Sequence, residues 1–185
     1  RAYWPTWRTD TAKSLKSYGP CAQYHRGSPP HQVGLKSLVT GSPWERISLD
    51  VTGPHPKSRN GHQYMLTVID HVSKWAEAYP IRSHTAVVVA KVLVTQWISR
   101  FGCPLQILSD QGPEFDSQLM SELCQNLRID KERTSAYKAS TNGAVERFHR
   151  TLNAMLGKVM ADHQRDWDQW VPTVMAAYRA SPHSA

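Results

Sequence analysis

The spacing of apolar residues changes along the chain, from every second position to every third or fourth. This change limits the possible folds more than any other feature of the sequence. Residues 47–51 alternate apolar and polar side chains, which is the period of a half-buried strand. Two further strands are predicted at residues 64–69 and 75–81, the second of them ended by Pro80, and Asn60-Gly61 marks a tight turn between the first two strands. Because short turns join them, these three strands predict an antiparallel meander.

The chain then changes to helical spacing. Apolar residues recur every three or four positions from Val87 to Phe101, with Ser83 or Thr85 available as the N-cap and Gly102 as the stop. The later elements are predicted as strand, helix, strand, helix and helix at residues 105–108, 117–127, 129–133, 142–161 and 167–180. The sequence therefore predicts an α/β fold with a five-stranded mixed sheet flanked by helices, the element order of the RNase H fold.

Residues 1–43 differ in composition from the rest of the chain. They contain several Gly-Pro and Ser-Pro turn signals, and a short helix is predicted from Asp10 to Ser17. We interpret residues 28–43 as a linker and residues 44–185 as one compact domain. The chain begins at Arg1, which is consistent with a piece of a longer protein.

Basic residues outnumber acidic ones, 22 to 15, which gives a net charge of +7 and a pI of about 9.5. A basic excess suits a polyanionic partner such as nucleic acid. The three cysteines are too few and too scattered for a disulfide framework, so a reducing, intracellular setting is expected. We find neither a signal peptide nor an apolar run approaching the roughly 18 residues of a membrane span, so no membrane partner is expected.

Three carboxylates stand where different elements end or begin. Asp50 lies on the polar face of the first strand, and Asp110 directly follows the buried strand at residues 105–108. Glu146 lies one turn into a helix, on the same face as Arg150 and Asn153. Each has an ordinary structural interpretation, as a strand-end residue, a turn cap or a partner of the helix dipole. Together they form the oxygen-ligand set that Mg²⁺ prefers and that two-metal phosphodiester chemistry uses.

The residues around these carboxylates resemble the three conserved blocks of retroviral and gypsy-class long-terminal-repeat retrotransposon integrases. Thirty-five residues lie between Asp110 and Glu146, the interval for which this Asp-Asp-Glu family is labelled. The three blocks are WERISLDVTGP at residues 44–54, SDQGPEF at residues 109–115 and TNGAVERFHRTL at residues 141–152. The resemblance extends over roughly residues 44–185.

This resemblance implies an enzyme that processes the 3′ ends of element DNA and joins them to target DNA. Asp50, Asp110 and Glu146 would ligate two Mg²⁺ or Mn²⁺ ions. The candidate DNA contacts are Lys138, Asn142, Arg150 and Asn153. The likeness further implies a homo-oligomer, a dimer or larger, and action in the nucleus on chromosomal DNA.

The chain departs from the family pattern at several places. Ala139 stands where proline is common, and Pro113 replaces a small polar residue. The N-terminal region resembles the end of the family's His-His-Cys-Cys zinc domain, but only Cys21 matches a ligand and Tyr18 stands where the first cysteine would be. Because tetrahedral zinc needs four good ligands, we expect no zinc here, although Cys21 with His25 and His31 leaves an unusual site open.

Two alternatives remain at this stage. One is a plain RNase H-like nuclease or a cut-and-paste transposase that carries the same triad. The other is a domesticated or decayed integrase core that binds DNA or a partner without chemistry. The three sequence blocks argue against the first alternative. The intact carboxylates argue against the second, whereas the missing first cysteine and the truncated ends argue for it.

Overall fold

The computed structural model describes residues 5–17, 41–133 and 139–181, with side chains for all of these except residues 15–17 and 139–146. Cys21, His25 and His31 therefore lie outside the described residues, as do Tyr18 and residues 28–40 of the predicted linker.

Five strands form one mixed sheet. They are β1 (Arg46–Thr52), β2 (Tyr64–Asp70), β3 (Ala76–Ile81), β4 (Gln106–Ser109) and β5 (Asp130–Arg133). Their order across the sheet is β3-β2-β1-β4-β5, with β1, β2 and β3 antiparallel and with β4 parallel to both β1 and β5. The predicted meander followed by two crossover strands is confirmed, and with it the fold class.

The helices follow the predicted order. They are α1 (Trp7–Ser17), the continuous helical run α2 (Ala86–Val92, a π-helical stretch Leu93–Ile98, and Ser99–Phe101), α3 (Gln118–Asn126), α4 (Ala139–Asp162) and α5 (Trp167–Ala180). Gly102 ends α2 at a φ of +88°, and the Ser117 hydroxyl accepts a hydrogen bond from Met120 N–H at the start of α3. None of the helices in the described residues is long and apolar enough to cross a membrane.

Each face of the sheet packs against its own pair of helices. Alternation along β2 sends Leu66 and Val68 into one core, which contains residues of α2 and α3, and sends Met65 and Ile69 into the other, which contains residues of α4 and α5. The first core is centred on the fully buried Trp97. The two helix layers therefore lie on opposite faces of the sheet, and β1 and β4 run between them.

Two details differ from the sequence prediction. The link between β1 and β2 is a long segment, residues 53–63, in which the predicted turn at Asn60-Gly61 occupies only the end. Pro80 does not end the third strand but lies within it, opposite Met65 of β2. Since β3 is an edge strand, it tolerates a residue that lacks an N–H donor.

Candidate active site

Asp50 lies in the middle of the sheet, on the strand that separates the antiparallel and parallel halves. Its neighbour Leu49 is buried in the core with α2 and α3, so Asp50 points to the opposite face. Its side chain is 34 % exposed. The Val51 N–H donates to Asp50 Oδ1 at 2.9 Å, and the Thr67 hydroxyl on β2 donates to the Asp50 carbonyl at 3.1 Å. The carboxylate is therefore held at a fixed place but remains reachable.

Asp110 follows β4 and comes level with Asp50 across the sheet. Ser48 of β1 pairs with Leu108 of β4 in parallel register, and continuing that register by two residues aligns Asp110 with Asp50. Asp110 is exposed and accepts a hydrogen bond from Gly112 N–H at 3.1 Å. The Asp-x-Gly turn that the sequence predicted thus presents this carboxylate at the carboxyl end of a parallel strand.

The electrostatics of Asp50 show that the two carboxylates share one site. The pKa of Asp50 is raised to about 6, first by burial, then by the negative charge of Asp110 and least by that of Glu114, while the Val51 hydrogen bond lowers it. Sequence reasoning did not single out Glu114, although it lies in the same block as Asp110. A bound cation would favour the ionised form of Asp50, which burial and the neighbouring negative charges oppose.

A histidine from α4 completes the surroundings of Asp50. His149 Nε2 lies 3.1 Å from Asp50 Oδ2 and 3.4 Å from Thr67 Oγ1, and the histidine side chain is only 14 % exposed. Burial lowers the pKa of His149 to about 4. The sequence patterns did not single out His149, although its spacing of three from Glu146 was a usable signal, since such residues lie on neighbouring positions of one helix face.

The remaining predicted residues lie on α4 or outside the described part of the chain. Glu146 belongs to α4, one turn before His149, and its side chain and that of Asn142 are not described. Lys138 lies outside the described residues. Arg150 and Asn153 are exposed on α4. The structure therefore brings Asp50 and Asp110 together, and it places the backbone of Glu146 in the helix whose next turn contacts Asp50.

The donor set suits a hard divalent ion. Within the described side chains, no three His, Cys, Asp or Glu residues are grouped so that they could hold a metal, and the side chain of Glu146 is not among them. Asp50 and Asp110 offer two carboxylates in an acidic setting, and Mg²⁺ commonly binds through one or two protein carboxylates plus water and substrate phosphate. The residues present thus fit such an ion.

Comparison with known proteins decides the family. Residues 42–139 match the family model described as Integrase core domain. The chain belongs to the integrase core domain family. That finding confirms the family resemblance and the integrase class that the three sequence blocks had indicated.

Relatives and solved structures agree with this assignment. Over 88 % of its length, the integrase core is 36 % identical to the Gag-Pol polyprotein of avian reticuloendotheliosis virus, of which it spans only 14 %. The catalytic core domain of BIV integrase covers 77 % of the chain at 25 % identity and a TM-score of 0.63, with 88 % of that structure matched. The HTLV-2 integrase catalytic core domain in complex with magnesium covers 72 % of the chain at 25 % identity and a TM-score of 0.57, with 83 % of that structure matched.

Proposed function

We propose that this integrase core is a polynucleotidyl transferase that processes the 3′ ends of retroelement DNA and joins them to target DNA. The observation that carries the proposal is the pair Asp50 and Asp110 on adjacent parallel strands, close enough for the charge of one to raise the pKa of the other. Such a pair supplies the oxygen ligands that hard divalent metal ions prefer.

Asp50, Asp110 and Glu146 would hold two Mg²⁺ or Mn²⁺ ions. Bound in this way, the ions would activate the attacking oxygen, from water or from a DNA 3′-hydroxyl, and stabilise the leaving oxygen. The HTLV-2 core domain, which shares this fold, was solved with magnesium. Asp50 meets the requirement for a ligand that stays in place, because Val51 N–H holds one of its oxygens.

The DNA would lie along the exposed side of α4. Arg150 and Asn153 follow Glu146 at intervals of one and two helical turns, so both lie on the face that carries it. Arginine and asparagine donate to phosphate oxygens, and such contacts position DNA without reading its sequence. Lys138 and Asn142 would extend the contact at the start of the helix.

The partners would be element ends, target DNA and further copies of the chain. The related HTLV-2 core was solved in a trimeric form, and we propose that this chain also acts as a dimer or larger assembly. Action on chromosomal DNA would place it in the nucleus.

Resealing of a branched DNA that mimics the integrated product tests this function. The parent chain is incubated with the branch in Mn²⁺ and then in Mg²⁺, beside a Glu146→Gln variant that keeps the side-chain size and removes its charge. We expect metal-dependent resealing by the parent and none by the variant. Hydrolysis without joining would replace the proposal with a nuclease. No reaction from a folded parent that binds DNA would replace it with a non-catalytic, decayed core.

A further inference from the structure

Each oxygen of the Asp50 carboxylate has its own neighbouring nitrogen. Oδ1 accepts from the Val51 N–H at 2.9 Å, within the same strand. Oδ2 lies 3.1 Å from Nε2 of His149, which comes from a different layer of the protein. The rotation of the carboxylate about its Cβ–Cγ bond is therefore set by one contact from β1 and one from α4.

The surroundings of Nε2 determine which nitrogen of His149 carries the proton. An ionised carboxylate can only accept hydrogen bonds. The Thr67 hydroxyl already donates its hydrogen to the Asp50 carbonyl at 3.1 Å, so its oxygen, 3.4 Å from Nε2, can also only accept. Because both neighbours of Nε2 are acceptors, the tautomer with the hydrogen on Nε2 is the one that fits, and Nε2–H donates to Asp50.

The residues on either side of His149 pack α4 against the sheet. Phe148, the preceding residue, is 1 % exposed and lies edge-on to Tyr178 of α5, with ring centroids 4.9 Å apart. Leu152, one turn further along α4, is fully buried in the same core. Apolar contacts of this kind fix the distance of a helix from a sheet but have little directional preference, whereas a hydrogen bond defines position along and around the helix.

We propose that His149 is a positioning residue for metal binding: its Nε2–H orients the Asp50 carboxylate and holds the helix that carries Glu146 in register with the strand that carries Asp50. The inference rests on the proposed function, since it assumes that Asp50 and Glu146 ligate the same metal centre. Hydrogen bonds to the ligands of a metal typically change metal affinity or activity about 10- to 100-fold when they are removed.

Two substitutions separate this role from a purely structural one. His149→Leu fills a similar volume without a donor, whereas His149→Gln carries an amide N–H at about the reach of Nε2. His149 Nδ1 is buried and has no hydrogen-bond partner among the described residues, so leucine removes an unsatisfied atom as well. We therefore expect the Tm of the leucine variant to stay within a few degrees of the parent or to rise.

The decisive measurement is Mn²⁺ binding to the metal-free chain at fixed pH, followed by electron paramagnetic resonance of free Mn²⁺. We expect His149→Leu to raise the Mn²⁺ dissociation constant at least about 10-fold and His149→Gln to stay within about 3-fold of the parent. In the resealing reaction, the metal concentration at half-maximal rate should shift in the same order. A purely structural histidine would change Tm and leave the Mn²⁺ titration unchanged.

Several outcomes overturn the inference. Parental Mn²⁺ affinity in a folded His149→Leu protein would do so, as would equal weakening by leucine and glutamine, or a parent chain that binds no Mn²⁺. Should the leucine variant not fold, His149→Met provides the same test with a more flexible apolar side chain. A parent that binds Mn²⁺ with the expected variant order but reseals no DNA would instead refute the proposed function and leave the role of His149 intact.

Discussion

At the scale of single residues, the Asp50 carboxylate is kept under conditions that oppose its ionisation. The pKa of this group is raised to about 6 by burial and by the charges of Asp110 and Glu114. A carboxyl whose pKa is higher in the folded chain than in the unfolded chain stabilises the fold below its ordinary pKa of 3.8, and this contribution is lost as the pH rises through 6. At neutral pH the metal-free site therefore weakens the fold that carries it.

Asp50→Asn is accordingly expected to stabilise the metal-free protein while abolishing metal-dependent joining. In EDTA at pH 7.5 we expect Tm to rise by about 2–4 °C, the change that about 1 kcal/mol produces in a domain of this size, after allowing for solvent screening of a partly exposed group. The gain should shrink between pH 6 and pH 4, where the parent carboxyl becomes protonated. Thermal unfolding followed by circular dichroism across that range measures both.

A stability gain for Asp50→Asn that does not change with pH would contradict this account. Asn153→Ala serves as a control because Asn153 is an exposed polar residue of α4. Its Tm should differ from that of the parent by the same small amount at every pH in the range.

What the sequence could predict of this site depends on how far apart the interacting residues are. Asp50 and Asp110 stand out because each follows an alternating or buried apolar run, a local signal. The contact between His149 and Asp50 joins residues 99 positions apart, and it exists only because α4 crosses β1 at one particular register. Glu114 acts on Asp50 through space in the same way. Periodicity predicts the elements that meet, not the atoms that touch.

At the scale of elements, the long link after β1 is fixed to the beginning of α5. Trp167 Nε1–H donates to the Pro56 carbonyl at 2.7 Å, and Arg59 N–H donates to the Arg165 carbonyl at 2.7 Å. The Asn60 amide donates to Asp168 Oδ2 at 2.9 Å, and His62 Nδ1 lies 2.7 Å from the same oxygen. The segment that continues from the Asp50 strand is thus held by the beginning of α5 and by Arg165, which precedes that helix.

Asp168→Asn tests that attachment and its pH dependence. Burial alone would raise the pKa of Asp168, but hydrogen bonds from His62, Asn60 and Ser58 outweigh it and lower the pKa. Stability from a lowered carboxyl pKa is present above the ordinary value of 3.8 and is lost as the pH falls through the folded-state value. We expect the variant to lose about 1–3 kcal/mol at pH 7, the range for a hydrogen bond to a charged group.

Urea unfolding at pH 7 and at pH 3 measures the difference in the free energy of unfolding between the parent and Asp168→Asn. This difference should be much smaller at pH 3. Asp166→Asn is the matched control, since Asp166 precedes the same helix and its ion pair, at 3.4 Å, is with the part-exposed His163. Equal stability losses in the two variants would show that charge near the helix start matters, and not the buried network.

Two glycines with a positive φ differ in the space available for a Cβ atom. Their alanine variants therefore distinguish backbone strain from steric clash. Gly102 has a φ of +88° and open space where a Cβ would lie, whereas Gly53 has a φ of +135° and a Cβ there would lie 2.8 Å from the Gln63 carbonyl oxygen. Gly102→Ala should therefore lose about 1–3 kcal/mol, the conformational strain of an alanine at a φ of +88° and a ψ of 174°. Gly53→Ala should lose at least about 3 kcal/mol, because backbone atoms must also move.

Chemical unfolding of both variants tests this order. Because Gly53 lies three residues after Asp50 at the end of the same strand, its alanine variant should also lose resealing activity under conditions in which it remains folded. Gly102→Ala should keep that activity, and a larger stability loss at Gly102 than at Gly53 would contradict the steric argument.

The elements themselves were largely predictable, and their ends less so. Alternation and helical spacing predicted five strands and the helices around them in the right order because each buries a continuous apolar face. The π-helical stretch within α2 carried no signal, since its residues keep an ordinary helical pattern of apolar positions. Pro80 predicts a strand end from sequence alone, and the structure keeps it inside β3 because β3 is an edge strand, a position that the sequence does not reveal.

At the scale of the whole molecule, exposed basic residues lie on the helices of both faces of the sheet. The net charge of +7 is a property of the entire chain and does not say where DNA would bind. Arg150 is exposed on α4, on the face of the sheet towards which Asp50 points, whereas Lys91 is exposed on α2, on the opposite face. Each residue carries one positive charge on a helix surface. Removing one or the other therefore changes the net charge equally but at different places on the molecule.

We expect Arg150→Gln to weaken DNA binding and Lys91→Gln to leave it nearly unchanged. If Arg150 contacts a phosphate, its removal should lower the slope of log affinity against log salt concentration by about 1. Fluorescence anisotropy with a labelled duplex, measured at several salt concentrations, gives both affinity and slope for the parent and the two variants. The comparison is independent of catalysis, so it stands even if the resealing reaction fails.

Equal losses in the two variants would mean that DNA responds to the overall charge and not to the α4 surface. A larger loss for Lys91→Gln would place the DNA on the side of the sheet away from Asp50, where no carboxylate pair could act on it. Only an effect confined to Arg150 brings the phosphate backbone and the acidic pair to the same side of the molecule. That coincidence is what phosphodiester transfer requires, because the reacting phosphate must reach the metal ligands while its neighbours are held.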